Sequence, residues 1–430
     1  MTTPLRIGIA GLGTVGGGAL KILLSQAALV EQRAGRMLTV VAVSARDKKK
    51  NRGVDMAGMV WHDNPVALAS DPNVEVVVEC IGGSEGAARE LVTQALANGK
   101  SVVTANKALI AHHGVALAKL AEQHGAVLAF EAAVAGGIPI IKALRDGLAA
   151  NNFRRIAGIL NGTCNYILTT MWNEKRSFDD VLKEAQAKGY AEAEPSFDID
   201  GIDTAHKLAI LVSLAYGVAP AIDKVHMEGI RRVSLTDMQF ADELGYVIKL
   251  LGITGMTERG IEQRVHPCMV PKHSQLATVP GAFNAILVEG DAVGTVLFEG
   301  RGAGEGPTAS SVVADIMDIA RGVQYKPFTL PASKLVSPRF AAIDQLQCSY
   351  YLRLGVLDQP GVLSDVTAIF KQEKISMRSV IQHSHKPGEV VHVVITTHAT
   401  SEAAMARAIK AMETLACMKE KPYMIRIENI

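Results

Sequence analysis

The stretch Leu5-Arg6-Ile7-Gly8-Ile9-Ala10-Gly11-Leu12-Gly13-Thr14-Val15-Gly16 decides the fold. Its first half is an apolar run of strand length, and its second half places three glycines in the G-x-G-x-x-G spacing at the start of a helix. Strand before and helix after is what separates a dinucleotide-binding turn from an ordinary glycine-rich loop. Glycine permits the tight turn and lets a pyrophosphate approach amides at the helix N-terminus. Working outward, residues 38–44, 74–80, 101–104 and 126–130 read as further strands, and Val76-Val77-Val78 is apolar on consecutive positions, as suits a strand covered on both faces. Helices over 85–98 and 115–124 alternate with them, each stopped by a glycine, Gly99 or Gly125. The pattern is α/β: a Rossmann-like doubly wound parallel sheet over residues 1–135, completed by a returning helix near 305–322.

The cofactor preference is read where the second strand ends, because an acidic residue there would hold the ribose 2′-hydroxyl of NAD. Here the chain runs Ser44-Ala45-Arg46-Asp47-Lys48-Lys49-Lys50, and Asp47 lies past the expected position. Arg46 and the lysines suit a 2′-phosphate, which favours NADP over NAD; the alternative is a solvated basic turn.

Beyond Gly136-Gly137-Ile138-Pro139 the texture becomes α+β: a helix over 139–148, a strand at 156–160, helices through Tyr216, a strand-rich region over 264–298 and a glycine-dense loop over 300–306. A helix over 307–321 follows. Residues 136–323 read as a second, central domain, and 324–348, with Pro327, Pro331 and Pro338, as a linker. Residues 349–430 give the order βαββαβ of a ferredoxin-like sandwich: strand 350–354, helix 361–373, strands 375–382 and 390–397, helix 401–415, strand 423–427.

Composition excludes several classes. In 430 residues, 44 Lys and Arg against 43 Asp and Glu leave a net charge of +1, so there is no electrostatic basis for nucleic acid as the main partner. The five cysteines are scattered with no C-x-x-C pair, which argues against a disulfide framework or zinc site and for a reducing, cytoplasmic setting. The start shows no secretory pattern, and the longest apolar stretch, 208–222, carries Gly217 and Pro220 and is too short to span a membrane.

Chemistry concentrates in a few segments. Residues 201–217 form a helix apolar around most of its circumference, yet Asp203 and Lys207 stand four apart on one face. Such a pair is either a structural ion pair or the floor of a site. His206, about 100° round the helix, reads as a satisfied polar residue. Upstream, Glu192, Glu194, Asp198 and Asp200 crowd the loop 189–201, as solvated acids or as receivers of a substrate ammonium group. Thr104-Ala105-Asn106-Lys107 follows a strand at the carboxyl edge, where ligands of such sheets bind. The bend from Glu131 to Ile138 either presents carbonyls to a cation or simply turns the chain.

Together these segments resemble homoserine dehydrogenase, in its bacterial single-function form with a carboxyl-terminal ACT domain. The resemblance rests on Gly11 to Gly16, Thr104-Ala105-Asn106-Lys107, Leu160-Asn161-Gly162-Thr163-Cys164-Asn165-Tyr166-Ile167-Leu168, Gly189-Tyr190-Ala191-Glu192-Ala193-Glu194-Pro195 and Gly201-Ile202-Asp203-Thr204-Ala205-His206-Lys207-Leu208, and Asp358-Gln359-Pro360-Gly361-Val362-Leu363 looks like the first turn of an ACT domain. It implies NAD(P)-linked interconversion of L-homoserine and L-aspartate 4-semialdehyde, on the shared route to threonine, methionine and isoleucine. It assigns Lys207 as general acid/base with Lys107 near the reacting oxygen, and Glu192, Asp203 and Asp198 to the substrate ammonium. Thr14, Val15, Arg46, Lys107, Gly189 and Gly304 fall to the cofactor beside Gly11, Gly13, Gly16 and Thr104. A monovalent cation, sodium, falls to Glu131 and the backbone of Val134, Gly136 and Ile138. The same resemblance makes 136–323 the substrate-binding, catalytic and oligomerisation domain, and implies threonine regulation and a homodimer or homotetramer. The competing readings are a non-catalytic amino-acid sensor on a nucleotide-binding scaffold and a dehydrogenase of another small hydroxy or amino acid.

Overall fold

The computed structural model describes residues 3–383 and 387–430. The chain divides into two compact units whose segments interleave in sequence: Met1–Gly162, Asp203–Val225 and Ala282–Pro338 form the first, and Thr163–Ile202, His226–Gly281 and Arg339–Ile430 the second.

The first unit is built on a six-stranded, wholly parallel sheet of β1 (Leu5–Ala10), β2 (Leu38–Ser44), β3 (Val60–Trp61), β4 (Val76–Glu79), β5 (Ser101–Thr104) and β6 (Leu128–Ala129), in the order β3-β2-β1-β4-β5-β6. The order reverses at β1, so the carboxyl ends of β1 and β4 flank the crevice where such sheets bind ligands. Ile7, Ile9, Val76 and Val78 are buried in one core, which helix Glu305–Ala320 joins through Ala309, Val312, Val313 and Ile316. A Cβ on Gly18 of helix Thr14–Ser25 would lie 2.8 Å from the Glu305 carbonyl and 3.1 Å from the Ala309 Cβ, so these two helices meet at backbone distance.

Several elements differ from the periodicity reading. Helix Lys107–Gln123 begins well before residue 115, because Asn106 caps it by accepting the Leu109 N–H at 3.0 Å. Residues 139–148 form a short α-helical turn, Ile140–Lys142, continued by a π-helical turn, Ala143–Gly147. Helix Glu305–Ala320 starts two residues before Pro307, which sits in the first turn, where no intrahelical N–H is needed. The strands Phe153–Ile159, Phe283–Gly290 and Gly294–Arg301 pair antiparallel within this unit. The proline-rich stretch after residue 323 is held down: Phe328 is fully buried against Phe130, with ring centroids 5.3 Å apart.

The second unit contains helices Gly162–Glu174 and Phe178–Ala187 and a mixed sheet ordered Tyr246–Thr257, Gly260–Pro271, Tyr423–Ile427, Gln347–Leu357, Val390–Thr397, Met377–Ile381. The first of these strands was not legible, since its run of Ile, Leu and Gly carries neither strict alternation nor an internal turn signal. Residues 347–427 trace βαββαβ, with helices Val362–Gln372 and Glu402–Met412 packed over a core that includes Tyr350, Leu352, Val393, Ile395 and Met405. Its strand Tyr423–Ile427 pairs in parallel with Gly260–Pro271 through Cys268 and Arg426, so this module continues the sheet of the preceding hairpin. No described helix is long and apolar enough to cross a membrane.

Candidate active site

The glycine-rich turn has the form its spacing predicts. Gly11 adopts φ +93°, and a Cβ there would fall 2.4 Å from the Cys80 carbonyl. A Cβ on Gly16 would fall 1.9 Å from the Gly11 carbonyl, so this position admits only glycine. Gly13 caps helix Thr14–Ser25 in an extended conformation and a Cβ on it meets nothing within 4 Å, which leaves the side open that a ligand would approach. Thr14 and Val15 are the first residues of that helix, whose first turn holds no acid, and its N–H groups and dipole favour an anion.

At the end of β2, Arg46 and Lys48 to Lys50 are exposed. The Asp47 carboxylate accepts the Lys49 N–H at 2.8 Å and so closes its own turn. Arg52, which the sequence reading passed over, donates to the carbonyls of Asp47 at 2.5 Å, Lys50 at 2.8 Å and Leu12 at 3.4 Å, tying the basic turn to the glycine-rich one.

Two lysines converge on one buried carboxylate. Asp203 Oδ2 accepts from Lys207 Nζ and lies 2.8 Å from Asn161 Nδ2; its Oδ1 is 2.8 Å from Lys107 Nζ. Lys207 Nζ, 2.7 Å from Asp203, also donates to the Leu160 carbonyl at 2.7 Å, and Asn284 Nδ2 donates to that same carbonyl at 2.9 Å. Burial alone would raise the Asp203 pKa, but the Lys207 and Lys107 charges outweigh it and hold the carboxyl well below its usual range. The Asp203 side chain is 4% exposed and that of Lys107 32%, so the anion lies at the base and Lys107 toward the opening. Asn161 was marked only as part of the Leu160 to Leu168 segment, and Asn284 had no sequence signal, because their partners are remote in the chain. His206 is buried and edge-on to His112, 5.2 Å between centroids.

Thr104 is fully buried: its hydroxyl donates to Glu79 at 2.5 Å and accepts the Asn106 N–H at 3.0 Å. It therefore supports the start of the Lys107 helix from beneath. Gly304 caps helix Glu305–Ala320 with φ +119°. The Glu131 carboxylate accepts the N–H groups of Ile141 at 2.9 Å and Lys142 at 2.8 Å; the carbonyls of Gly136 and Ile138 accept from the Ser311 hydroxyl at 2.7 Å and the Ile140 N–H at 2.8 Å, and Val134 follows directly on the Glu131 turn. Burial, and next the charge of Asp315, push the Glu131 carboxyl up to about 7.

In the second unit, Gly189 takes φ +73° just after helix Phe178–Ala187. Of the acids that follow, Glu194 is spent on Ser196, at 2.6 Å to its hydroxyl, and Asp200 on Arg231 at 2.5 Å. Glu192 is exposed, while the Asp198 backbone carbonyl accepts the Cys164 thiol at 3.3 Å. His266, Cys268 and Glu428 also converge in this unit, all buried. Arg264 donates to His266 Nε2 at 2.8 Å and to Glu428 at 2.6 Å, which leaves the His266 hydrogen on Nδ1, facing the Pro267 carbonyl at 3.0 Å and the Cys268 sulfur at 3.2 Å. With both ring nitrogens engaged, the group is an arginine-centred structural cluster, not a metal site.

Residues 139–317 match the family model described as homoserine dehydrogenase, residues 11–131 that of the homoserine dehydrogenase NAD binding domain, and residues 350–417 the ACT domain. A homoserine dehydrogenase of Neisseria gonorrhoeae is 44% identical over 438 residues, with 99% of each chain covered. The chain belongs to the homoserine dehydrogenase family. The crystal structure of a homoserine dehydrogenase from Thiobacillus denitrificans is similar at TM-score 0.93 and 45% identity, covering 99% of each chain. A hyperthermophilic archaeal homoserine dehydrogenase in complex with NADPH is similar at TM-score 0.65 and 28% identity over 75% of this chain and all of that one. As a homoserine dehydrogenase, the chain is an oxidoreductase with an NAD-binding domain, a catalytic domain and an ACT domain.

Proposed function

We propose that the enzyme interconverts L-homoserine and L-aspartate 4-semialdehyde with NADP as the preferred dinucleotide, in the biosynthesis of threonine, methionine and isoleucine. The observation that carries the reading is the pair of lysines held on buried Asp203 beside the carboxyl end of β5. The NADP preference is supported by the exposed Arg46 and Lys48 to Lys50 at the end of β2, and by the NADPH complex of the archaeal relative.

A bound nicotinamide supplies or accepts the hydride at the carbinol carbon. Hydride arrival places negative charge on the carbonyl oxygen, and an ammonium in a desolvated site stabilises that charge and then protonates it. Lys207 is the donor in reduction and, when neutral, the base in oxidation. The Leu160 carbonyl and Asp203 fix its ammonium, and Lys107 on the opposite oxygen of Asp203 faces outward, where it holds the reacting oxygen. The family resemblance assigns Glu192, Asp198 and Asp203 to the substrate ammonium. Asp203 already meets three donors, so its part there is to be shared with theirs.

The bend at Glu131, Val134, Gly136 and Ile138 fits a hard monovalent cation such as sodium by donor chemistry. Each oxygen keeps a second lone pair, and Glu131 stands close to Asp315, which Lys142 pairs at 3.1 Å. Threonine regulation is supported by a cavity of about 210 Å³ in the carboxyl-terminal module, lined by Asp358, Gln359, Gly361, Leu363 and Gln382 among others. A homodimer or homotetramer completes the reading.

The test is Lys207→Ala assayed with homoserine and NADP, and with NAD. Turnover is expected to fall at least ~100-fold, with NADPH binding, read by its fluorescence, retained. Turnover at the level of the unaltered enzyme would overturn the assignment.

A further inference from the structure

Strand β4 ends on a fully buried carboxylate where Val76, Val77 and Val78 before it are aliphatic. An aliphatic residue would fill that place in the sheet without the cost of burying a charge. Glu79 is instead held by three donors: the Ile81 N–H at 2.7 Å, the Gly82 N–H at 3.0 Å and the Thr104 hydroxyl at 2.5 Å. Thr104 is its direct partner in register on β5. Its hydroxyl oxygen receives the Asn106 N–H at 3.0 Å, Asn106 Nδ2 donates to the Gly83 carbonyl at 2.7 Å, and Asn106 Oδ1 caps the helix whose first residue is Lys107. One carboxylate thus joins the loop after β4 to the loop after β5, at the carboxyl edge of the sheet.

We propose that Glu79 is a positioning residue of the reaction: through Thr104 and Asn106 it sets the start of helix Lys107–Gln123, and with it the place of the Lys107 ammonium on Asp203. The linkage is directional. A charge-assisted bond from a hydroxyl to a carboxylate is strong and short, and it orients the Thr104 hydroxyl so that its lone pair faces the Asn106 amide. Without the carboxylate the hydroxyl is free to turn, the Asn106 cap loses its support, and Lys107 at the first helical position moves with it. A displacement on the order of 1 Å at a reacting group costs up to ~100-fold in rate. The Ile81 and Gly82 arm reaches the dinucleotide turn as well, since Cys80 lies against Gly11.

The proposal rests on the assignment of Lys107 to the reacting oxygen, and the experiment separates the two. Four full-length variants are compared: Lys107→Ala, Thr104→Val, Thr104→Ser and Glu79→Gln, with kcat, KM for homoserine and for NADP, and thermal midpoint measured for each. Thr104→Val keeps the side-chain shape and removes only the hydroxyl. It is expected to lower kcat about tenfold or more, and Thr104→Ser is expected to recover most of that loss. Glu79→Gln is expected to lower kcat and to raise KM for NADP, because it loosens both arms. A scaffold role alone would lower the thermal midpoint and leave kcat in place. Unchanged kcat in Thr104→Val and Glu79→Gln, alongside an impaired Lys107→Ala, would overturn this proposal and leave the site assignment standing. A fully active Lys107→Ala would overturn both.

Discussion

At the scale of single residues, helix Ile202–Tyr216 shows what spacing can and cannot reveal. Asp203 and Lys207 were legible as a pair because a helix places residues four apart on one face. Lys107 and Asn161 were not, since their meeting with Asp203 depends on how distant segments fold together. The neighbouring His206 carries a consequence for pH. Burial, then the charge on His112 and that on Lys107, hold its pKa down at about 4, against the smaller opposing pull of Asp203. Its ordinary value is near 6.5. Between those values the unfolded chain binds a proton that the folded chain does not, so the stability His206 contributes is complete above about pH 6.5 and is lost as pH falls toward 4. Replacing it with glutamine removes that component. Stability of His206→Gln, measured by denaturant unfolding, is expected to fall less steeply from pH 6.5 to 4 than that of the unaltered protein, by up to about 1.4 kcal/mol per pH unit. Equal slopes for the two proteins would refute the account.

At the scale of elements, β1, β2 and β5 were legible to the residue, because each is a short, largely apolar run that ends at turn residues. Helix Lys107–Gln123 was half legible. Its first turns carry His112, His113 and Gly114, which break the apolar period, and the decisive signal is the Asn106 cap. That omission hid the fact that Lys107 is the first helical residue. The glycines of helix Thr14–Ser25 and its cap look alike in sequence, yet the fold gives them separate tasks. Gly18 faces the backbone of Glu305, so Gly18→Ala forces two helices apart and is expected to cost about 1–3 kcal/mol of unfolding free energy. Gly13 has open space around its missing Cβ and φ −79°, a conformation alanine adopts. Gly13→Ala is expected to change stability by less than about 0.5 kcal/mol while raising KM for NADP. Unfolding curves and steady-state rates on both variants check the contrast; a Gly13→Ala protein with unaltered KM would show that the cofactor does not pass this turn.

At the scale of the whole molecule, the serial reading of 1–135, 136–323, 324–348 and 349–430 follows the order of the chain, whereas the two compact units each draw on three separated segments. Pairing between remote strands is what a linear pattern leaves open. The carboxyl-terminal module shows why this matters for experiment. Its strand Tyr423–Ile427 lies against Gly260–Pro271, and buried Arg426 bonds Glu228 and Glu402. Tyr351 and Arg353 bond Asp237, a fully buried acid, at 3.0 and 2.7 Å. Ending the chain at residue 348 therefore uncovers a sheet edge and strips Asp237 of its only described cation, Arg353, a loss that by itself costs about 3–5 kcal/mol. The truncated protein is expected to unfold at lower denaturant and to lose activity whatever threonine does, so truncation cannot report on regulation. A substitution at the cavity can. Asp358 lines it at the turn into helix Val362–Gln372 and is only partly buried. If threonine acts there through its ammonium group, Asp358→Asn is expected to raise the threonine concentration for half-inhibition about tenfold, the equivalent of about 1.4 kcal/mol, with the thermal midpoint nearly unmoved. Threonine inhibition unaltered in Asp358→Asn would place the effector elsewhere, because removing a carboxylate that pairs with a bound ammonium cannot leave the affinity as it was.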